Sequence, residues 1–322
     1  MFLRVFILLF LVQTAVAQYS PPAGQIGSIA VNKDDSSITA WATKCTVTRG
    51  YKSVATTDSG YVNSGSEAMA LDKAGVNGVI SLGDGGVAIL EFEKPIINGG
   101  GYDFAVFENA FDDTYLELAH VEVSSDGTNY FRFPSVSNTD TVTQKSGFDL
   151  LDTKLIHNLA GKFRNGYGTP FDMEELKDKS GLDVNNVTHV KIIDVVGSLN
   201  NLYCSRDSRG VKINDPWPTL FNTGGFDLDA VAVMNVKGEG MFDVSREPKI
   251  KSKLVNLEQG YELKDIQFLK YNAVELYDMQ GQKHKCELNG SVLLLNNFII
   301  KGWYILQLSN DKETVRFELL VY

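Results

Sequence analysis

Two short stretches gather carboxylates in otherwise apolar surroundings. The first, "ENAFDD", brings Glu108, Asn109, Asp112 and Asp113 together; the second, "GGFDLDAV", adds Asp227 and Asp229. Such groups support one of two chemistries. A glycosidase needs a pair of carboxyls roughly 5 to 9.5 Å apart across one sugar bond, one of them held protonated. A calcium site needs several oxygens from Asp, Glu, Asn and backbone carbonyls in a tolerant geometry. Asp227 and Asp229 stand at i, i+2, which on a regular strand puts both on one face. Two buried like charges repel, and a cation removes that cost. The expectation is a structural Ca2+ bound by Glu108, Asn109, Asp112, Asp113, Asp227 and Asp229. The alternatives are carboxylates facing solvent or holding turns, or a secreted hydrolase that acts on glycans with paired carboxylates.

Aromatic residues mark a second candidate site. "NGYGTPFD" and "NDPWPTLFNTGGF" set Tyr167, Phe171, Trp217 and Phe221 among Gly, Pro and Asn, with Asp215 beside them. Rigid loops of this composition present flat rings to a sugar or other small ligand, and Asp and Asn supply directional hydrogen bonds. The competing role is to plug the ends of a core, above all for Trp217 between two prolines. Other catalytic patterns are lacking: no GxSxG occurs, and His120 and His189 sit in apolar strand runs where a satisfied structural histidine is expected. "GDGG" at 83–86 precedes a strand rather than a helix, so it reads as a turn and not as a phosphate cradle.

The elements that must position these residues are strands. Short β-branched or alternating runs recur at 79–92, 103–109, 116–127, 130–136, 188–196 and 226–236, divided by glycine and asparagine. Within 79–92 the apolar run stops at "GDGG" and resumes, which predicts a hairpin. "SSDGTNY" predicts another, with Asp126-Gly127 as the turn pair. One short helix is expected in "PFDMEELKDKSG", capped by Asp172. The fold class expected is all-β: a jelly-roll-like antiparallel sandwich followed by a second, small C-terminal β-sandwich.

Composition bounds the function. Thirty Lys and Arg against 40 Asp and Glu give a formal net charge of −10, which disfavours a nucleic-acid partner. Arg4, the run "VFILLFLV" and "AVA" before Gln18 have the form of a secretory signal over residues 1–17. No later stretch offers about 18 uninterrupted apolar residues, so no transmembrane segment is expected in the mature chain. Cys45, Cys204 and Cys286 are unpatterned; buried free thiols are expected, with a Cys45–Cys204 bridge as the alternative in an exported chain.

From about Arg246 the texture changes, and "VELYDMQGQ", "KGWYILQL" and a final "RFELLVY" follow in order. Tyr277-Asp278-Met279-Gln280-Gly281 and Gly302-Trp303-Tyr304-Ile305 resemble the hairpin and strand of the C-terminal sorting domain of type IX secretion substrates in Bacteroidota. Departures are "EPKIKSK" in place of a proline-rich opening, and Glu318 where a lysine often stands. The resemblance implies passage through the periplasm to the outer cell surface by the type IX machinery. Its domain plan is a signal at 1–17, a binding domain at 18–240, a linker at 241–250 and a sorting domain at 251–322. The stretches "FAVFENAFDDTYLELAHVEVSSDGTNYFRFPS", "NLAGKFRNGYGTPFD", "THVKIIDVVGS" and "GGFDLDAVAV" are similar to a family of exported bacterial surface proteins. The "VEVSSDGTNYFRF" hairpin also resembles discoidin-like, galactose-binding-like jelly rolls. The surface-protein likeness admits a role in nutrient capture, for which the aromatic loops suit a glycan or small-molecule nutrient, while the jelly-roll likeness bears on fold alone.

Overall fold

The computed structural model describes residues 19–237, 253–255, 261–262, 273–278, 283–289, 292–295, 302–310 and 314–321. The expected signal (1–17) and linker (241–250) lie outside these residues. The chain divides into two units, Met1–Lys237 and Gly238–Tyr322.

In the first unit the strands are β1 (Val31–Asn32), β2 (Ala40–Trp41), β3 (Lys44–Thr48), β4 (Ile80–Ser81), β5 (Val87–Ile96), β6 (Phe104–Glu108) and β7 (Ala119–Ser124). They continue as β8 (Phe131–Arg132), β9 (Val136–Ser137), β10 (Ile156–His157), β11 (Tyr167–Phe171), β12 (Val187–Asp194) and β13 (Asp227–Val233). One sheet runs β1-β11-β6-β13-β2 with β4 also on β13, and the other runs β3-β5-β12-β7-β8. All pairings between these strands are antiparallel.

The two sheets face each other across one core. Phe104, Val106, Leu228, Val231 and Val233 come from one sheet and Ala88, Leu90, Val121, Val123, Val190 and Ile192 from the other. Alternation explains the second sheet: in β12, Val187, Val190, Ile192 and Asp194 are buried while Lys191 and Ile193 are half-buried. The architecture is therefore the all-β antiparallel sandwich expected.

Two local expectations are revised. The segment 79–92 is not a hairpin, because β4 joins β13 in one sheet while β5 joins β3 and β12 in the other. "GDGG" carries the chain between the sheets, with Leu82 and Gly83 N–H donating to Phe226 and Gly224 carbonyls. The helix after Asp172 is a single 3-10 turn, Met173–Leu176, with Asp172 Oδ1 accepting from Glu174 N at 2.9 Å. The "SSDGTNY" turn does join a hairpin: β7 and β8 pair Glu122 with Arg132, and Gly127 takes φ +73°.

In the second unit the described strands are β14 (Lys253–Val255), β15 (Tyr261–Glu262), β16 (Ala273–Asp278), β17 (Lys283–His284), β18 (Cys286–Asn289), β19 (Val292–Leu295), β20 (Gly302–Ser309) and β21 (Thr314–Val321). They form sheets β14-β21-β20-β16-β17 and β15-β19-β18, with a parallel β14–β21 pair and antiparallel pairs elsewhere. Tyr277 and Asp278 pair with Ile305 and Tyr304; Met279, Gln280 and Gly281 lie outside the described residues.

Candidate functional site

Six buried carboxylic side chains at one pole of the first unit, Asp84, Glu108, Glu117, Asp194, Asp215 and Asp227, lie near enough to feel one another's charge. Strand direction explains the convergence. Glu108 ends β6 where β13 begins with Asp227, and Asp194 ends β12 opposite Ala119 at the start of β7. Asp84 precedes β5, Glu117 precedes β7, and Asp215 belongs to the long connection between β12 and β13. Antiparallel pairing puts these ends at one pole.

Backbone N–H groups hold several of the carboxylates. Glu108 Oε2 accepts from Ala110 N at 2.8 Å, and Asp215 Oδ2 from Leu118 N at 3.1 Å. Asp194 accepts from Phe226 N (2.7 Å) and Gly85 N (3.0 Å), which ties the two sheets together. Asp84 Oδ2 accepts from Val54 N and from the Trp217 indole, each at 2.8 Å. Two buried oxygens, Asp215 Oδ1 and Asp227 Oδ1, have no partner. The close approach needs glycine: a Cβ on Gly161 (φ +80°) would lie 1.8 Å from Glu117 O, and one on Gly225 (φ +71°) 2.6 Å from Asp194 Oδ1.

Burial raises the proton affinity of the whole group. Glu108 is pushed well above the carboxylate range by burial and then by the Asp227 charge. Glu117 is pushed up by burial, then by Glu108, Asp227, Asp215 and Asp194. Asp194 and Asp215 are raised by burial, with Asp84 adding repulsion to each. Asp227 is raised to about 6, burial outweighing the opposing pull of Ser81 and the Arg49 guanidinium. Arg49 itself is engaged by carbonyls, donating to Ser64, Ser81 and Gly65.

Loop aromatics form a rim that Tyr115 links to the carboxylates. Phe148 and Phe221, 73 positions apart in sequence, bring their rings to 5.6 Å, and both are exposed. Phe111, 87% exposed, tilts against Tyr115, whose hydroxyl donates to Gly147 O at 3.0 Å. Tyr51 and Tyr61 stack at 4.4 Å, and Asn63 and Ser64 N–H donate to Asn222 O. The Tyr115 hydroxyl is raised to about 12 by burial and then by the charges of Glu117, Asp215, Glu108 and Asp227.

The sequence-derived sets are divided by this geometry. Glu108 and Asp227 belong to the pole, with Asn109 half-buried beside Glu108. Asp112 is instead exposed and closes its own turn, accepting from Thr114 N at 2.7 Å and Tyr115 N at 2.9 Å. Asp113 is paired with Arg164, which donates to both its oxygens at 2.7 and 2.8 Å. Asp229 faces elsewhere: both its oxygens accept from Gly75 N at 3.0 Å. A register shift in β13 between Leu228 and Ala230 breaks the alternation, so i, i+2 does not give one face here. Of the aromatic set, Phe221 lies on the rim, and half-buried Trp217 reaches Asp84. Phe171 is corrected to a core residue, packed at 5.3 Å on Phe104 and 5.0 Å on Phe133, because "YGTPF" is strand β11 and not a loop. Half-buried Tyr167 lies under the Arg164 guanidinium at 4.8 Å. Asp215 is part of the acid cluster and does not reach the surface. Sequence reasoning passed over Asp84 and Asp194, whose only signal is an acid set next to an apolar strand or its turn.

Among the described residues no group of three or more Asp, Glu, His or Cys side chains is placed to hold a metal ion, and Cys45 and Cys204 form no disulfide. No helix among those residues is long and apolar enough to cross a membrane. Compared with known proteins, the chain matches no family model, no curated protein and no solved structure.

Proposed function

We propose that this is an exported surface protein whose first unit captures a glycan or small nutrient at the aromatic rim of the acidic pole, and whose second unit is the sorting address. The observation that carries the binding reading is the contact of exposed Phe148 and Phe221 on two separate loops, with Phe111, Tyr51 and Tyr61 around them. Rings held in water on loops fixed by hydrogen bonds form a ready stacking platform, since little ordering remains to oppose binding. A hydrolase is the weaker reading. Its acid and base must touch the scissile bond, whereas Glu108 and Glu117 are 2% and 8% exposed.

The mature chain from Gln18, incubated on an array of glycans and small metabolites, is expected to retain at least one ligand without releasing product. Phe148→Ala and Phe221→Ala should each weaken retention about tenfold, the loss of one stacking contact. Retention unchanged in both variants, or product release, overturns the reading. The sorting proposal is separate: removing residues 246–322 should leave the first unit folded in the periplasm, and surface display of that truncation would refute it.

A further inference from the structure

We propose that Tyr51 and Tyr61 are a pre-assembled site of oxidative modification, at which a peroxide-driven one-electron oxidant joins two segments of the first unit through dityrosine. The inference stands independently of the ligand bound at the rim.

Backbone register brings the two rings together. Lys52 N donates to Gly60 O at 2.9 Å and Val62 N to Gly50 O at 3.2 Å, so Tyr51 and Tyr61 stand directly opposite each other as an antiparallel pair with no backbone hydrogen bond of its own. Pairs of this kind hold their Cα atoms about 4.5 Å apart and put both side chains on one face. The rings accordingly stack with centroids 4.4 Å apart and 20° between their planes, and the Tyr61 hydroxyl donates to the Tyr51 hydroxyl at 3.0 Å. Tyr51 is also held from its other side, its carbonyl accepting from Asp84 N at 2.8 Å. Tyr61 is 55% exposed and Tyr51 half-buried, which leaves both phenols within reach of an oxidant. Elsewhere in the first unit the rings of Tyr19, Tyr115 and Tyr130 meet His157, Phe111 and His189. Neither an imidazole nor a phenyl ring supplies a second phenoxyl.

The chemistry needs two hydroxyls side by side, because the unpaired electron of a phenoxyl radical spreads to the ring carbons next to its oxygen. Each phenol gives up one electron and one proton. The two radicals form a carbon–carbon bond between those ring carbons, and the hydrogen on each bonded carbon then moves to the neighbouring oxygen, restoring both phenols. Two electrons and two protons leave in all, and they reduce one hydrogen peroxide to two waters. In the product the hydroxyls flank the new bond, the side-by-side arrangement that the 3.0 Å contact already sets. Holding the partners together replaces a bimolecular encounter with a local one. The link closes the 51–61 loop over the turn Thr57–Ser59 and removes freedom from the unfolded chain, as a disulfide does.

The test treats the mature chain from Gln18, at high dilution, with a haem peroxidase and hydrogen peroxide, with free tyrosine in a parallel reaction to show that the oxidant is active. The expected product is a monomer that carries the blue emission of dityrosine and has lost the mass of two hydrogen atoms. Trypsin cuts after Arg49, Lys52 and Lys73, so peptides 50–52 and 53–73 should be recovered joined. Tyr51→Phe and Tyr61→Phe each keep the ring and remove one phenol, and each should remove the monomer's emission. Tyr130→Phe, whose ring lies against Lys191 and His189, should leave it unchanged. Should a variant fail to fold, the peptide map of the unaltered chain still decides. Peptides 50–52 and 53–73 recovered apart while free tyrosine couples, or emission that persists in either variant, overturns the proposal.

Discussion

Trp217 donates its indole N–H to Asp84 Oδ2 at 2.8 Å, joining the 195–226 connection to the turn that carries the chain from one sheet to the other. Asp84 is buried and its carboxyl is raised by that burial, with Trp217 and Val54 N lowering it again. Trp217→Phe keeps an aromatic side chain and removes one of these donors. It is expected to cost about 1–3 kcal/mol, a fall of roughly 2–12 °C in melting temperature for a unit of this size. A thermal melt of the variant measures it, and an unchanged midpoint would refute the role given to the indole.

Asp229 is a loop anchor. Its two oxygens share Gly75 N at 3.0 Å, and Asp229→Ala should leave that amide unsatisfied at a cost of about 1–3 kcal/mol. The loss should be the same in calcium and in EGTA. Urea melts in both conditions check this, and a calcium-dependent loss would return Asp229 to the cation site.

Gly161 and Gly166 have nearly the same backbone angle, φ +80° and +82°, in different surroundings. A Cβ on Gly161 meets Glu117 O at 1.8 Å, whereas one on Gly166 meets nothing within 4 Å. Gly166→Ala is therefore expected to cost about 1–2 kcal/mol, from backbone conformation alone. Gly161→Ala should exceed it, at about 4 kcal/mol or more, because the Glu117 strand approach has to move. Denaturant unfolding of the two variants side by side gives the comparison, and equal losses would show that the close approach is soft.

The strands that bury their side chains were legible, and the way they gather the carboxylates was not. β6, β7, β12 and β13 follow from apolar runs with glycine at their ends, as does the β7–β8 hairpin from Asp126-Gly127. "GDGG" misled because a two-sided break between apolar runs looks alike whether the chain folds back or crosses to the opposite sheet; a Cβ on Gly86 would lie 2.0 Å from Leu82 O, a demand of the crossing. Asp227 and Asp229 misled because the register shift at Leu228–Ala230 is fixed by the partner strand β6, which the local sequence does not display. Phe171 misled because Gly168 and Pro170 suggest a loop, although β11 accommodates both next to β6. Only Glu108 and Asp227 of the six pole carboxylates were assembled from sequence as metal ligands, since proximity across six separate segments is set by sheet order alone.

His120 is buried on β7 with Nδ1 lacking a partner, and burial, then Arg132, depresses its proton affinity from 6.5 to about 4, against the weaker pull of Glu122 and Asp207. The folded state thus binds the proton less readily than the unfolded chain. Stability from this group is complete above 6.5 and is lost as pH falls from 6.5 toward 4. The loss amounts to about 3 kcal/mol by linkage. The difference in unfolding free energy between the unaltered chain and His120→Asn should shrink by that order between pH 7.5 and 4. A flat difference would contradict the assignment.

β13 is the last strand of its unit in sequence and lies between neighbours on both sides, pairing with β6, β2 and β4. Vectorial synthesis therefore delivers the centre of that sheet after its flanks. Until residues 227–233 have been made, β6 has an open edge, β4 and β2 have no partner in the sheet, and the start of β13 is missing from the pole. The first unit is consequently a structure that stays unlatched until its last strand is made and then locks from the middle of that sheet outward.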